Sequence, residues 1–452
     1  MKTENRVVAI ESVSSDGRGL THLKNGKVLF VEGALPDEEV EVAVTRETRD
    51  YAVAQVVRHL SQERRRCVPA CRWYETCGGC NLQHATYELQ LQLKTRIVKD
   101  AFQRIAGMEP IHGTDECIAS PRAWKYRNKA SFPVRKTTKG VKTGFFREKT
   151  HDIVPLDACS VIDGGLESLF RNISGTLPRF PIAPYDEKRH SGLLRHIVLR
   201  SGTFTGDIVL GLVCRQMPDA AAIDALRAFL GSEEVIPRGV CININPDRSN
   251  VILGAEIRKI SGEISIRERL GHFLYRYGIA DFFQVNSFQA KRLYEYAAAE
   301  AGDGANLLEL YSGIGSLTMY LARHFRKVVA VEEWPSAAAA ILQTCEINGI
   351  RNVTAVTGCA EDTVGGMTDS FETVLVDPPR TGCDRVVLEE LGKKLRPAKI
   401  VYVSCNPATL SRDIRILSEN GYGFLKARPF DMFPQTTHVE CVATLIRKNS
   451  SA

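Results

Sequence analysis

The chain has 452 residues, of which 44% are hydrophobic and 25% are charged, and its 59 basic and 53 acidic residues leave a net charge of +6. This length predicts two or three domains, and the composition is that of an ordinary globular protein. No apolar run is long enough to span a bilayer and the opening residues do not resemble a secretory signal, so we expect no membrane association and a cytoplasmic location. Thirteen cysteines in such a chain favour metal binding or catalysis over disulfides.

The amino-terminal residues 1–62 alternate short strands with turns. Runs rich in apolar and β-branched residues are 6–10, 27–31, 39–44 and 52–57. Short strands at such close spacing predict a small, OB-like β-barrel. Its basic flank would comprise Lys24, Arg46, Arg49 and Arg58. The sequence FVEGALP at 30–36 resembles the TRAM domain of RNA-modifying enzymes, although Asp37 stands where a glycine is usual, and the resemblance implies RNA binding.

Four cysteines lie within residues 67–80, a stretch too polar and too rich in glycine to be a core element. Cys71, Cys77 and Cys80 follow the spacing C-x5-C-x2-C. Zinc would favour two C-x2-C pairs, and only Cys77 and Cys80 form one. On this spacing, and on the family resemblance given below, we expect a 4Fe-4S iron–sulfur cluster rather than zinc. Cys159, at the end of a predicted strand, is the expected fourth ligand, and Cys67 is the competing candidate.

We expect residues 63–270 to form a central α+β domain that carries the cluster. Its predicted strands include 198–200, 207–214 and 239–245. One helix is predicted over 220–230, and another over 86–106, ending at Gly107, would link this domain to the next or pack on it. Basic and aromatic residues alternate over 122–149, which suits an RNA-binding face and equally a solvated surface.

Residues 271–452 change to alternating strands and helices. One strand ends in a glycine turn that contains Gly313 and Gly315, and the next strand ends in Glu332. Such a unit binds adenosine, because the glycines let the backbone approach the ligand and the acid accepts hydrogen bonds from the ribose. Thr318 replaces the third glycine expected for NAD or FAD, so S-adenosylmethionine is favoured. The predicted fold class is therefore α/β, a class I (Rossmann-like) methyltransferase domain whose sheet has an antiparallel end.

Two further strand ends carry reactive side chains. An Asp-Pro-Pro sequence begins at Asp377, as in methyltransferases that act on amino groups, but Arg380 replaces the aromatic residue that usually follows. Methylation of an exocyclic amine is therefore disfavoured. A β-branched and aromatic strand over 400–403 leads to Cys405 and then to a helical stretch. Cys405 would thus lie at the sheet edge where α/β proteins bind ligands, near a helix N-terminus that can favour its thiolate.

Four segments resemble the RNA uracil-C5 methyltransferase family across essentially the whole chain. They are FQVN at 283–286, DPPR at 377–380, SCNPAT at 404–409 and MFPQTTHVE at 432–440. The resemblance implies that Cys405 is the nucleophile that adds to uracil and Glu440 the general base. It also implies a cofactor pocket made of Gln284, Tyr311, Gly313, Gly315, Ser316, Glu332 and Asp377. Gln435 and Thr437 stand where the family commonly has histidine.

The cysteines and the barrel resemble the ribosomal-RNA branch of that family, and the tRNA branch generally lacks both. We therefore expect a monomeric enzyme that methylates C5 of a specific uridine in 23S rRNA. A tRNA-directed enzyme of the same chemistry and methylation at a base nitrogen are the alternatives. The alternative of another class is an inactive iron–sulfur protein that only binds RNA, and the intact set of Cys405, Glu440 and Asp377 argues against it.

Overall fold

The computed structural model describes residues 5–108, 113–138, 140–179, 182–230 and 237–448. These residues form a curled amino-terminal sheet, a central α+β unit and a class I α/β unit, so the predicted fold class is confirmed. None of the helices in these ranges is long and apolar enough to cross a membrane.

Six strands build the amino-terminal sheet. They are β1 (Asn5–Ala9), β2 (Ser12–Val13), β3 (Gly19–His22), β4 (Val28–Glu32), β5 (Glu39–Glu47) and β6 (Tyr51–Ser61). They lie in the order β1-β5-β6-β4-β3-β2. The chain between β1 and β2 draws the sheet into a curl, because the N–H of Ile10 donates to Glu38 and the N–H of Glu11 donates to Leu20. The four predicted runs correspond to β1, β4, β5 and β6.

The helix predicted over 86–106 is present. Its α-helical part, α1 (Tyr87–Ala101), begins where the hydroxyl of Thr86 accepts a hydrogen bond from the N–H of Leu89. A π-helical turn (Phe102–Ala106) continues it to Gly107, whose φ of 66° ends the helix in the left-handed region. One side of α1 packs against the curled sheet and the other against the class I unit. The helix therefore joins the two.

Seven strands and two helices make up the central unit. The strands are β7 (Lys129–Thr137), β8 (Gly140–Phe146), β9 (Ile153–Pro155), β10 (Leu194–Ser201), β11 (Ile208–Cys214), β12 (Gly239–Ile244) and β13 (Glu256–Gly262), in the order β13-β12-β11-β10-β7-β8-β9. The helices are α2 (Gly164–Thr176) and α3 (Ala220–Leu230). The sequence pattern does not predict α2, because two glycines open it and only a stripe of four buried apolar residues marks it.

A hairpin of β14 (Ile266–Leu270) and β15 (Phe273–Tyr277) leads into the class I unit. Its helices are α4 (Ser287–Ala301), α5 (Thr318–Leu321), α6 (Pro335–Ile347), α7 (Ala360–Gly366), α8 (Arg385–Glu390) and α9 (Pro407–Glu419). Its strands are β16 (Gly304–Leu310), β17 (Phe325–Glu332), β18 (Val353–Thr357), β19 (Thr373–Val376), β20 (Lys399–Ser404), β21 (Tyr422–Phe430) and β22 (Glu440–Arg447). Residues 282–286, between the hairpin and α4, form an irregular connection.

The strand order of this sheet, β18-β17-β16-β19-β20-β22-β21, brings the predicted site residues to one edge. The first five strands are parallel, while β22 runs antiparallel to β20 and β21 runs antiparallel to β22. The carboxyl ends of β16, β17, β19 and β20 therefore meet the amino-terminal end of β22. This confirms the doubly wound sheet with an antiparallel end.

Candidate active site

Cys405 lies in the tight connection between β20 and α9. The next residue, Asn406, caps α9 by accepting a hydrogen bond from the N–H of Ala408 at 3.1 Å. The Asn406 amide also donates to the carbonyl of Arg380 at 3.0 Å, which ties the DPPR segment to the helix. Cys405 is half-buried, so its thiol is held in place and still reachable.

The surroundings of Cys405 favour the thiol form. Burial first, and then the nearby carboxyls of Glu440 and Asp377, raise its pKa to about 11, while Arg380 opposes them. Desolvation and two acidic neighbours thus act against the thiolate, which a helix N-terminus can favour. Activation of the sulfur requires a positive charge or a proton acceptor in the same pocket.

Glu440 faces Cys405 across two neighbouring strands. Ser404 at the end of β20 pairs with Cys441 of β22 in the antiparallel register, so Cys405 and Glu440 each lie one residue beyond this last pair, at the same end of the sheet. Glu440 is only 4% exposed. Burial, and to a smaller extent Asp377, raise its pKa to about 8, while Arg380 acts in the opposite direction. This carboxyl can therefore take up and release a proton near neutral pH.

Asp377 and Arg380 complete the group at this edge. Asp377 directly follows β19, and its N–H donates to the carbonyl of Leu310 at 3.3 Å. Burial of the Asp377 carboxyl raises its pKa to about 7. A thiol, two carboxyls that titrate near neutral pH and a guanidinium thus share one pocket. Such a set suits nucleophilic addition coupled to proton transfer.

The glycine turn after β16 has the backbone conformation that an adenosine site requires. Gly313 and Gly315 have φ angles of 56° and 81°, and Tyr311 lies in the same left-handed region at 64°. A strained non-glycine residue of this kind is frequent at ligand sites. The N–H of Gly313 donates to Glu332 at 2.8 Å, so the acid at the end of β17 is held against the turn.

Gln284 and Ser316 lie on the side of the turn that faces the hairpin. The rings of Phe283 and Tyr275 are 5.6 Å apart, and the hydroxyl of Tyr275 donates to the carbonyl of Ser316 at 2.9 Å. These contacts hold Gln284 near the glycine turn. Its carbonyl also accepts a hydrogen bond from the amide of Asn128 at 3.0 Å, which links the pocket to the central unit.

Sequence reasoning missed one acid at this site, Glu309. Its carboxyl is buried inside β16 and accepts a hydrogen bond from the hydroxyl of Thr318 at 2.6 Å. Burial raises the pKa of Glu309 to about 8. This contact explains why Thr318 stands where NAD- or FAD-binding proteins have a third glycine, because the threonine hydroxyl donates a hydrogen bond to the buried Glu309 carboxyl. An acid within an otherwise apolar strand, followed by a hydroxyl residue in place of glycine, was the available signal.

The four predicted cluster ligands line one cavity of about 240 Å³ in the central unit. They are Cys71, Cys77, Cys80 and Cys159. Burial raises the pKa of the thiols of Cys77 and Cys159, and that of Cys80 to about 12. Cys67 is exposed instead, and its thiol donates to the carbonyl of Gln83 at 3.4 Å. Across the described ranges, no three His, Cys, Asp or Glu side chains lie close enough together to hold a single metal ion.

Comparison with known proteins agrees with the motifs. Residues 86–448 match the family described as tRNA (uracil-5-)-methyltransferase, and residues 2–57 match the TRAM domain. An uncharacterized RNA methyltransferase of Bacillus cereus is 35% identical over 460 residues, which cover 99% of this chain and 97% of the relative. Another, from Gloeobacter violaceus, is 36% identical over 444 residues, with 97% and 96% covered.

A solved structure resembles the whole chain as well. The tRNA (uracil-54, C5)-methyltransferase of Pyrococcus abyssi, in complex with S-adenosyl-L-homocysteine, is 28% identical and superposes with a TM-score of 0.77. The match covers 98% of this chain and 100% of that one. The resemblance predicted from the sequence motifs is confirmed. This chain belongs to the tRNA (uracil-5-)-methyltransferase family and carries an amino-terminal TRAM domain.

Proposed function

We propose that this protein transfers the methyl group of S-adenosylmethionine to C5 of a uridine in RNA, through a temporary covalent bond between Cys405 and the base. The observation that carries the proposal is that the carboxyls of Glu440 and Asp377 lie close to the Cys405 thiol, where the end of β20 meets the start of β22. Membership of the uracil-C5 family supports it. The catalytic roles of Cys405 and Glu440 are part of the proposal.

The chemistry requires a nucleophile first and a base last. C5 of uracil is a weak nucleophile, so the Cys405 thiol loses its proton to a base and adds to C6 as thiolate, and the electrons of the C5–C6 double bond move toward O4 to form an enolate. When bound, S-adenosylmethionine would supply its methyl group to C5, and the electron pair of the broken methyl–sulfur bond would leave with S-adenosylhomocysteine. Glu440 then removes the C5 proton, the electrons of the C–H bond restore the double bond, and the C6–S bond breaks to release Cys405 as thiolate.

The charge of the cofactor would change the protonation of the acids and the thiol. The positive sulfur of bound S-adenosylmethionine would lower the pKa values of Cys405, Asp377 and Glu440, because each of these groups is anionic when deprotonated. Glu440, with a pKa of about 8, is then able to act as a base near neutral pH. We propose that Asp377 acts electrostatically or through a hydrogen bond to the uracil edge.

For the cofactor, we propose the pocket predicted from the sequence. Glu332 would accept hydrogen bonds from the ribose hydroxyls, and the backbone of Gly313 and Gly315 would approach the ligand. Gln284, Tyr311, Ser316 and Asp377 would complete the pocket.

We also propose that Cys71, Cys77, Cys80 and Cys159 hold a 4Fe-4S cluster. The observation that supports the cluster is that four thiols line one cavity of about 240 Å³, because a 4Fe-4S cluster takes four thiolate ligands. The exposure of Cys67 argues against it as the fourth ligand. The methylation needs no electron transfer, so the role of the cluster would be structural.

We propose that the RNA substrate is 23S rRNA, because the cysteine loop and the amino-terminal barrel resemble those of the ribosomal-RNA branch of the family. The tRNA alternative is favoured by a different observation, the similarity to the tRNA enzyme of Pyrococcus abyssi. Nucleoside mass spectrometry of 23S rRNA and tRNA from a deletion strain distinguishes them, because 5-methyluridine would disappear from only one.

Trapping of the covalent intermediate tests the proposed roles. Glu440→Gln should still add to the base and transfer the methyl group, but the C5 proton stays in place and a protein–RNA conjugate should accumulate. Cys405→Ala should bind RNA and form no conjugate. A denaturing gel with labelled RNA separates these results. Full turnover by Glu440→Gln would remove it as the base, and turnover by Cys405→Ala would end the uracil-C5 proposal.

A further inference from the structure

The segment 431–439, which we call the base loop, leads directly into Glu440 and is almost entirely buried. Gln435 lies at its centre, is 3% exposed and has a φ of 73°. A residue with a side chain rarely adopts this left-handed conformation, and it persists only where the surroundings hold it. The contacts of Gln435 show what holds it.

Gln90 of α1 binds both the backbone and the side chain of Gln435. The N–H of Gln435 donates to the Gln90 side-chain oxygen at 3.0 Å, and the Gln90 amide donates back to the Gln435 side-chain oxygen at 3.0 Å. Gln90 is itself 1% exposed and also donates to the carbonyls of Leu82 and Ala85. The two amides therefore form a reciprocal, buried pair.

Asn81, the residue after Cys80, holds the other side of the base loop. The N–H groups of Asn81 and Leu82 both donate to the carbonyl of Gln435, at 3.1 and 3.0 Å. The Asn81 side-chain oxygen accepts from the N–H of Thr437 at 2.9 Å, and its amide donates to the Thr437 hydroxyl at 3.1 Å. The cysteine-containing loop is thus bonded to the chain three residues before Glu440.

The amino-terminal sheet closes over this contact. The Asn81 amide donates to the carbonyl of Asp16 at 2.9 Å, and the Thr437 hydroxyl donates to the carbonyl of Ser15 at 2.7 Å. A side chain at Gly17 would place its Cβ 2.7 Å from the Asn81 amide nitrogen, so the approach requires glycine. Parts of the chain more than 300 residues apart in sequence therefore meet on the base loop.

We propose that Gln435 and Asn81 are positioning residues for Glu440, an inference that rests on the proposed role of Glu440 as the base. A base must lie within hydrogen-bond reach of the proton it removes, and the base loop fixes where β22 begins. The side chains at 435 and 437 have further partners. The Gln435 side chain accepts from Gln90 and donates to the carbonyl of Ala123 at 3.3 Å, and the Thr437 hydroxyl accepts from Asn81 and donates to the carbonyl of Ser15.

A single-turnover experiment separates this role from a general effect on folding. Gln435→Gly keeps the left-handed backbone at no steric cost and removes the hydrogen bond that the Gln90 amide donates to the Gln435 side chain. Asn81→Ala removes the pairing with Thr437, and Thr437→Val is a milder change at the same contact. Each should form the protein–RNA conjugate within about twofold of the wild-type rate, but release methylated RNA about tenfold to a hundredfold more slowly. Conjugate should therefore accumulate.

Asn245→Ala is the matched control. Asn245 is a buried amide, 1% exposed, that donates to the carbonyls of Val251 and Ile252 in the central unit. Its loss should affect stability without slowing release. Equal slowing of addition and release, or release at the wild-type rate in all three variants, would overturn the inference. Glu440→Gln, run in parallel, must accumulate conjugate; if it does not, the proposed function fails rather than the positioning role.

Discussion

Three carboxyl groups, those of Glu309, Asp377 and Glu440, lie at the ligand edge of the class I sheet; Glu309 and Glu440 are buried, and Asp377 is partly exposed. Their pKa values are raised by burial to about 8, 7 and 8. In the unfolded chain the same groups titrate near pH 4, so between about pH 4 and pH 8 the folded protein binds more protons than the unfolded chain. The free energy of unfolding should therefore fall as pH rises from about 5 to about 8, by about 1.4 kcal/mol for each group and each unit of pKa difference.

Replacement of Glu309 with glutamine isolates one of these groups. The amide oxygen can still accept the hydrogen bond from Thr318, but the side chain cannot ionise. We expect Glu309→Gln to lose less thermal stability than the wild type between pH 5 and 8, and to be the more stable protein above pH 8. Melting temperatures across this pH range measure the difference. Glu372→Gln, at an exposed carboxyl, is the control, and parallel curves for wild type and Glu309→Gln would contradict the account.

At the scale of elements, periodicity predicts the long and regular parts of the chain. It identifies α1, α3 and the strand β20, because each has an apolar pattern with its own spacing. It misses β21, where Gly423 and Pro429 interrupt an edge strand, and the short strands β2 and β3. Such elements form because neighbours provide hydrogen-bond partners, and that information lies far away in the sequence.

At the candidate site too, local sequence patterns predict some residues and long-range packing determines others. The glycine turn, Glu332 and Cys405 follow from local patterns, while the role of Glu440 came from the family resemblance alone. A buried acid at the first residue of a strand has no sequence pattern of its own, and its closeness to Cys405 is evident only once β22 is known to pair with β20. Glu309 and the contacts of Gln435 depend on long-range packing, and no spacing rule contains them.

The cysteine loop is an element whose ligands can be tested separately. Protein purified without oxygen should contain iron and sulfide, and Cys159→Ser should lose them because Cys159 lines the cavity. Cys67→Ser is the matched control and should keep them, since Cys67 is exposed. Metal and sulfide analysis decides the point. Zinc in the wild type, or loss of iron from Cys67→Ser alone, would contradict the assignment.

At the scale of the molecule, the three units share their interiors. Val198 and Val209 of the central sheet lie in one core with Tyr277, Phe283 and Val401. The predicted boundary between residues 270 and 271 falls at the turn of the β14–β15 hairpin, which belongs to this shared core. The domain limits of 1–62, 63–270 and 271–452 stay predictions. Because the central and class I units share a core, RNA bound to the central unit would lie at a fixed position relative to the pocket of the class I unit.

The basic flank of the TRAM domain should contribute to RNA binding through phosphate contacts. A variant that replaces three exposed residues with alanine should bind RNA more weakly, and the residues are Lys24, Arg46 and Arg49. The slope of log affinity against log salt should become shallower by about 2 to 3, because binding of the variant makes three fewer phosphate contacts and so releases fewer counterions from the RNA. Binding of S-adenosylhomocysteine should not change.

The control for that variant removes the same charge from the far edge of the central unit. Its residues are Arg227, Arg258 and Lys259, all exposed. Filter binding at several salt concentrations compares the two proteins. An equal change of slope in both would mean that the TRAM domain has no special part in binding.

The central claim is that the methyl group replaces the hydrogen on C5 of uracil. RNA that carries tritium at C5 of its uridines, incubated with the protein and S-adenosylmethionine, measures this directly. The account predicts one tritium released to water for each methyl group incorporated, and neither event with Cys405→Ala. Methyl incorporation without release of tritium would show that the methyl group enters at another atom, and would contradict the account.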